Sequence, residues 1–506
     1  MTATDTAIVI LAAGKGTRMR SILAKVLHHA GGRPLIEHVA RACQRLKPAQ
    51  LIAVVGHQAE EVSALAESLG AQTVVQQPQR GTGHALQVAR RAIRRSAKLA
   101  LVVPGDAPLL RAETLAALLD THRRGEAAAT ILTAELAVPA DYGRIVRDSE
   151  GRVQAIVEEK SATPEQLAIH EVNSSIYCFT LEKLWPCLAA LRPENAHREL
   201  YLTDAIGLLR QRDQRVLGQS ASDSQEILGC NTRAQLADAD RILRARKAAE
   251  LMAVGTTIYL PETVVIDPEV LAGEDTQIEP CVYLLGKTRI GARCRIGAGS
   301  ILRDVRVEDG AVIRQYCVLE ASRVGPNAKM GPFARLRPGS EVRAGAHVGS
   351  FVELKNSVLG EGSKAPHLTY LGDASVGRGT NVGAGTITCN FDGIAKYRTT
   401  IGNRAFIGSH AALVAPVRIG DGAYVAAGSV ITENVPPDAL AIARDRQTNK
   451  PGWARQRRAA ATKGAKPKSK RRSKSKPKGR PKPKHRPQPK RVRRKKAGRR
   501  VPRRRR

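Results

Sequence analysis

Apolar positions near the start of the chain fall into short β-branched runs that end at glycine. Residues Ala7 to Leu11 form one such run and stop at a glycine-rich turn, and Leu99 to Val103 stop the same way at Pro104-Gly105-Asp106. A short run that is apolar on both faces predicts a buried parallel strand feeding a loop. Between the two, Ile36 to Leu46 carries helical spacing, Leu51 to Val55 is strand-like, and Ala59 to Leu69 is helical again. This alternation predicts a doubly wound, Rossmann-like α/β domain that binds ligands at the carboxyl ends of its strands.

From Arg233 to Met252 the composition shifts to Ala, Leu, Arg, Asp and Glu with helical periodicity and neither Gly nor Pro, which predicts a long connecting helix. Beyond it aliphatic-Gly pairs recur at six: Ile290-Gly291 and Ile296-Gly297, Val376-Gly377 and Val382-Gly383, Ile401-Gly402 and Ile407-Gly408, then Ile419 and Val425. Each six-residue step makes one flat face of a triangular coil, with the aliphatic side chain inward and small residues at the corners. The expected organisation is an α/β domain over 1–232, a linker helix over 233–253, a left-handed parallel β-helix over 254–453 and a tail over 454–506. Prisms of this kind expose flat faces and commonly trimerise, with sites in clefts between subunits.

Charge changes this picture only at the end of the chain. The formal net charge is +36, but residues 454–506 hold 28 Lys and Arg and no acid, leaving 54 basic against 46 acidic residues in the first 453. The tail has almost no apolar residues with which to offset its ordering entropy, so it is expected to be disordered. A polycation of this composition would bind nucleic acid or an anionic membrane surface weakly and in a salt-dependent way, and its bland alternative is a solubilising extension. The eight cysteines are scattered with no C-x-x-C pair and read as reduced apolar fillers. No stretch has the 18 or so consecutive apolar residues of a membrane span, so a soluble, cytoplasmic protein is expected.

The segment Leu11-Ala12-Ala13-Gly14-Lys15-Gly16-Thr17-Arg18-Met19 follows a predicted strand. Its glycines let backbone N–H groups approach a phosphate, while Lys15 and Arg18 supply positive charge. It is neither a Walker A loop nor a dinucleotide fingerprint, and G-x-G alone is equally a strand-to-helix turn. Its company raises its meaning: Gln76, Gly81-Thr82-Gly83, Asp106, Tyr142-Gly143-Arg144, Glu158, Asn173 and Asn231 all fall in loop-like contexts of the same domain.

At these residues the chain resembles the nucleotide-diphospho-sugar transferases, and within them the bifunctional N-acetylglucosamine-1-phosphate uridyltransferase/glucosamine-1-phosphate N-acetyltransferase family, from about residue 5 to about residue 453. The resemblance implies that Leu11, Ala12, Ala13 and Gly14 line the uracil and phosphate pocket. Lys25 would meet the phosphates, and Gln76, Gly81 and Thr82 would read the base. Gly143, Glu158 and Asn173 would hold N-acetylglucosamine, and Asp106 and Asn231 would ligate Mg²⁺. Attack of a sugar phosphate on the α-phosphorus of UTP brings two anions together, so a metal on oxygen ligands and a nearby ammonium suit the task. The family usually has Pro before the lysine and an aromatic before Gly-Asp. Ala24 and Pro104 stand there in this chain; the resemblance still implies that Pro104 and Gly105 contact UDP-N-acetylglucosamine, Pro104 through its carbonyl but with no ring to stack.

In the repeat region, the runs Gly331 to Gly339, Phe351 to Lys355 and His367 to Asp373 interrupt the hexapeptides with polar and aromatic groups. Acetyl transfer from a thioester to an amine needs a base for the amine's proton, and His367 is the candidate imidazole. The same resemblance implies that Arg337 and Lys355 bind the phosphate of glucosamine 1-phosphate, with Tyr370, Asn381 and Lys396 completing the sugar site. Ala384, Asn390, Phe391, Ser409, Ala427 and Arg444 would contact acetyl-CoA. Phe391 stands where the family often has Tyr and so lacks a hydroxyl, and Pro366 stands where a Gly is common.

The leading expectation is an enzyme that acetylates glucosamine 1-phosphate and then joins the product to UMP, giving UDP-N-acetylglucosamine and pyrophosphate for cell-envelope synthesis. Two alternatives stay open at this stage: a nucleotidyltransferase whose β-helix only oligomerises, and a nucleic-acid-binding structural protein acting through its tail.

Overall fold

The structure is a computed structural model that describes residues 4–194 and 198–464. It divides into two compact units, one ending at Arg444 and one beginning at Asp445.

The first unit opens on a nine-stranded sheet. Its main path runs Val216–Ser220, Ala129–Glu135, Glu171–Thr180, Leu99–Pro104, Thr6–Ala12, Gln50–Val55 and Gln72–Val75. Thr6–Ala12 is parallel to both neighbours, whereas Glu171–Thr180 is antiparallel to all three of its own. The central strand is apolar on both faces because both are covered. Ile8, Ile10 and Ala12 pack in one core with Ile36, Val39, Leu115 and Leu118, while Ala7 and Val9 pack in another with Leu86, Leu184, Leu188 and Leu209. From Thr6–Ala12 the chain first adds strands on one side, then crosses to place Leu99–Pro104 on the other. The crevice at the carboxyl ends of those two strands is the topological switch point, where open α/β sheets bind ligands.

The helix Arg233–Ala253 begins with a capping box: the Thr232 hydroxyl accepts from Gln235 N, and Gln235 Oε1 accepts from Thr232 N. Its last turns place Ala248 and Leu251 in the core of the coils that follow.

Those coils are three parallel sheets of 11, 10 and 9 strands stacked as a left-handed β-helix. Ile278 pairs with Ile296, and Ile296 with Ile313, so equivalent residues recur once per coil. Every aliphatic residue of the expected six-residue pattern points inward: Ile290, Ile296, Val376, Val382, Ile401, Ile407, Ile419 and Val425 are all buried. At the corners the backbone enters the left-handed region, which favours glycine and asparagine. One corner column carries large rings instead: Tyr316, Phe333 and Phe351 stack in succession with centroids 5.4 and 5.2 Å apart. The register lengthens once, where Val376 pairs with Ile401, and a loop after Cys389 takes up the extra residues.

In the second unit Trp453–Gly464 is a helix, all but its first residue within the stretch expected to be a disordered tail. The interior of this Ala- and Arg-rich segment contains neither Pro nor Gly, and its residues have high helix propensity. The rest of that expectation, residues 465–506, lies outside the described residues.

Two candidate active sites

Two adjoining cavities open at the switch point, of about 530 and 210 Å³. The larger is lined by Leu11, Ala12, Ala13, Gly14, Lys25, Gln76, Gly81, Thr82, Pro104 and Asp106 among others. Pro104, Asp106, Gly143, Glu158, Asn173 and Asn231 line the smaller, so Pro104 and Asp106 stand on the seam between them. Gly105 lies against the first strand, its N–H donating to Leu11 O at 2.9 Å; a Cβ there would approach that oxygen to 3.2 Å.

The seam has one electrostatic centre. The Lys25 ammonium bonds the Asp106 carboxylate and donates to Asn231 Oδ1 at 2.8 Å. Asn231 is set in place by the cap of the long helix, because Gln235 Oε1 also accepts from Asn231 N at 2.8 Å. Cys230 N donates to Asp106 O at 2.9 Å, tying the two loops together. Two oxygens thus converge on a single cationic point, and the donor set fits a hard divalent cation that completes its shell with phosphate and water.

In the larger cavity, Gln76 Nε2 donates to Gly81 O at 2.9 Å and lies 3.1 Å from His84 Nδ1. Gly81 has φ 96°, and a Cβ would sit 2.6 Å from Leu200 O, so the turn requires glycine. The Thr82 hydroxyl accepts from Leu202 N at 3.0 Å. In the smaller cavity, Asn173 Nδ2 donates to Tyr177 Oη at 2.8 Å, and Asn173 N donates to Gly143 O at 2.9 Å. Burial raises the pKa of Glu158 above the ordinary carboxylate value, against a hydrogen bond from the Thr203 hydroxyl and with Asp204 adding to the rise. Arg18, expected to serve phosphate, is ion-paired with Asp141 at 3.0 Å, whereas Lys15 lines the larger cavity. Sequence reasoning did not single out Gln79, Ser175 and Tyr201, which also line it. Ser175 touches both cavities from a left-handed backbone conformation (φ 63°) that no local signal announces.

On the β-helix, His367 ends the strand Lys364–His367 and pairs in register with Ser350. Asn381 lies on the next strand of that sheet, opposite Lys364. Ala384 and Ser409 precede corners on later coils, accepting from His410 N at 2.7 Å and Gly428 N at 2.8 Å. Ala427 occupies the equivalent place one coil on, packed over Gly408, and Arg444 passes over Gly428. Arg337 donates to Glu353 at 3.3 Å. Lys355 donates to Asp373 at 3.1 Å, and that bond is the main cause raising its pKa. Tyr370 follows Glu353 in register. Phe391 and Lys396 form a bridge across the inserted loop, both exposed, while Asn390 at its base is buried. The hub of this region is Asp373, which the sequence reading did not assign.

A MobA-like NTP transferase domain matches residues 8–202, the bacterial transferase hexapeptide repeat matches residues 398–433, and the hexapeptide repeat of succinyl-transferase matches residues 287–321. Fold, clefts and repeats together define a two-part transferase, a nucleotidyltransferase joined to a hexapeptide acyltransferase. Bifunctional protein GlmU of Koribacter versatilis is 47% identical over 461 residues, covering 90% of this chain and 98% of that one. The protein of the same name from Solibacter usitatus is 49% identical, covering 90% and 98%, and that of Streptomyces coelicolor is 46% identical, covering 91% and 96%. The chain belongs to the bifunctional GlmU family and is a uridyltransferase and glucosamine-1-phosphate acetyltransferase.

Proposed function

We propose that the two reactions run in series, the β-helix making the N-acetylglucosamine 1-phosphate that the α/β domain joins to UMP, for use in cell-envelope synthesis in the cytoplasm. The observation that carries the uridyl-transfer half is the convergence of Lys25, Asp106 and Asn231 on the seam between two cavities.

UTP occupies the larger cavity, with its base against Gln76, Gly81 and Thr82 and its phosphates along Leu11 to Gly14. The sugar lies in the smaller cavity against Gly143, Glu158 and Asn173. Its phosphate oxygen attacks the α-phosphorus from that side, and the bond to the β-phosphate breaks to release pyrophosphate. Lys25 neutralises charge at the point where the two anions meet. Mg²⁺ held by Asp106 and Asn231 would supply further neutralisation there.

For acetylation, the imidazole of His367 takes the proton of the attacking amine as nitrogen bonds to the thioester carbon, the carbon–sulfur bond breaks, and the leaving sulfur of coenzyme A receives that proton to depart as the thiol. Arg337 and Lys355 hold the sugar phosphate, with Tyr370, Asn381 and Lys396 around the sugar. Ala384, Asn390, Phe391, Ser409, Ala427 and Arg444 bind acetyl-CoA. A homotrimer is the assembly we propose: the exposed rings Tyr316, Phe333 and Phe351 form an apolar strip ending one coil before His367, the kind of surface a symmetric contact covers. Residues 454–506 bind nucleic acid or an anionic surface weakly through charge alone.

The test is to supply the purified protein with glucosamine 1-phosphate, acetyl-CoA, UTP and Mg²⁺ and to follow free thiol, pyrophosphate and UDP-N-acetylglucosamine separately. All three are expected. Pyrophosphate from added N-acetylglucosamine 1-phosphate, without thiol release from glucosamine 1-phosphate, would remove the second half of the reading.

A further inference from the structure

We propose that Asp373 is a positioning residue that couples the two substrate subsites of acetyl transfer, aiming the sugar-phosphate lysine and the acyl-donor asparagine from a single carboxylate. The inference rests on the assignment of Lys355 and Asn390 made above.

Three side chains converge on this carboxylate. Lys355 Nζ donates to Oδ2 at 3.1 Å, Asn390 Nδ2 to the same oxygen at 2.5 Å, and Asn356 Nδ2 to Oδ1 at 2.8 Å. Asp304, Asp309 and Asp421, at other turns of the β-helix, each accept a backbone N–H, from Lys287, Ala292 and Asn403, and Asp421 takes the Asn403 side-chain amide as well, whereas the Asp373 carboxylate gathers three side chains. Asp373 therefore does something a turn alone does not require. A carboxylate offers about four lone-pair sites, and hydrogen bonds to a charged acceptor are the strong and directional ones. Lys355, on a flexible four-carbon stem, is fixed by an ion pair whose side chains are 19% and 15% exposed. Asn390 is fixed too, because an amide that donates through Nδ2 must present Oδ1 elsewhere.

The backbone of the same residue holds the inserted loop. Asp373 O accepts from Thr399 N at 3.2 Å, and Asp373 N donates to Lys355 O at 2.9 Å. Asn390 and Thr399 flank the segment that carries Phe391 and Lys396, which is itself closed by Tyr397 N donating to Asn390 O at 2.8 Å. One residue thus grips both stems of a loop bearing a contact for each substrate. Its charge is supported in turn: burial works against the anion, but the bonds from Asn356, Asn390 and Lys355 outweigh burial and bring the pKa below its ordinary value.

The experiment uses the full chain. Thiol release is measured while glucosamine 1-phosphate and acetyl-CoA are varied in turn, and uridyl transfer is measured on the same sample. Asp373→Asn is expected to raise both KM values roughly tenfold or more, the scale of a lost charge-assisted bond, with uridyl transfer unchanged. In a double-mutant cycle, Lys355→Ala should cost clearly less in the Asp373→Asn background than in the wild type. Additive losses, or unchanged KM values, overturn the coupling. Should Asp373→Asn lose the β-helix by circular dichroism, Asn390→Ala decides: a raised KM for glucosamine 1-phosphate as well as acetyl-CoA supports the coupling, and a change confined to acetyl-CoA overturns it. A wild type that releases no thiol would instead overturn the functional assignment on which the coupling stands.

Discussion

Lys25 and Asn231 meet at 2.8 Å across the mouth of the α/β sheet, and the same ammonium bonds Asp106. The contact joins the turn after the first strand to the residue before the cap of the connecting helix. In the proposed reaction it places one positive charge where the sugar phosphate and the α-phosphate of the nucleotide come together.

Lys25→Ala should therefore cost uridyl transfer about 10²–10³-fold in kcat, the usual scale for removing one preorganised charge at a reacting anion. Acetylation by the same sample should be unchanged. Pyrophosphate release and thiol release measured in parallel give the answer, and equal losses in both would mean that the substitution damages the chain at large.

His367→Ala should lower acetylation by about 10²–10⁴-fold, the range for a positioned general base, and leave uridyl transfer from supplied N-acetylglucosamine 1-phosphate intact. Near-normal thiol release from this variant would take His367 out of the chemistry.

His122 gives a stability prediction. Burial, with Arg123 adding to it, lowers its pKa to about 4, and its ring nitrogens lie 2.9 Å from the Thr130 hydroxyl and 3.1 Å from that of Thr180. The unfolded chain protonates this histidine near 6.5, before the native state does. Its contribution is thus fully present above pH 6.5 and fades as pH falls toward 4, amounting to roughly 3 kcal/mol over that window. Urea unfolding of wild type and His122→Gln at pH 7 and pH 4 measures it. Equal losses of stability for the two proteins would contradict it.

Deletion of residues 454–506 should leave both half-reactions within about twofold, since none of the proposed site residues lies there and the first compact unit ends at Arg444. The full chain should bind a DNA duplex at low salt and release it as salt rises, and the truncated chain should not. A truncated protein that is folded but inactive would show that the tail takes part in catalysis.

How legible the molecule was depends on the range of each interaction. The buried run Ala7–Leu11 and the inward aliphatic residues of each coil announced themselves, because periodicity over a few residues reports which face is buried. The capping box Thr232-x-x-Gln235 is equally local in the sequence. Asp106 and Asn231 stand 81 and 206 positions from Lys25 along the chain, and no local spacing relates the three; only resemblance to a family links them in the sequence.

By itself, then, the sequence determined the two architectures, the helix between them and the basic character of the tail, since burial pattern, glycine punctuation and charge are properties of neighbouring residues. Only the tertiary structure decided that Arg18 pairs with Asp141, that Ser175 stands between two cavities, and that Asp373 gathers Lys355, Asn356 and Asn390. Those outcomes depend on which oxygen and which nitrogen arrive within about 3 Å of each other, a distance set by the packing of whole sheets and coils.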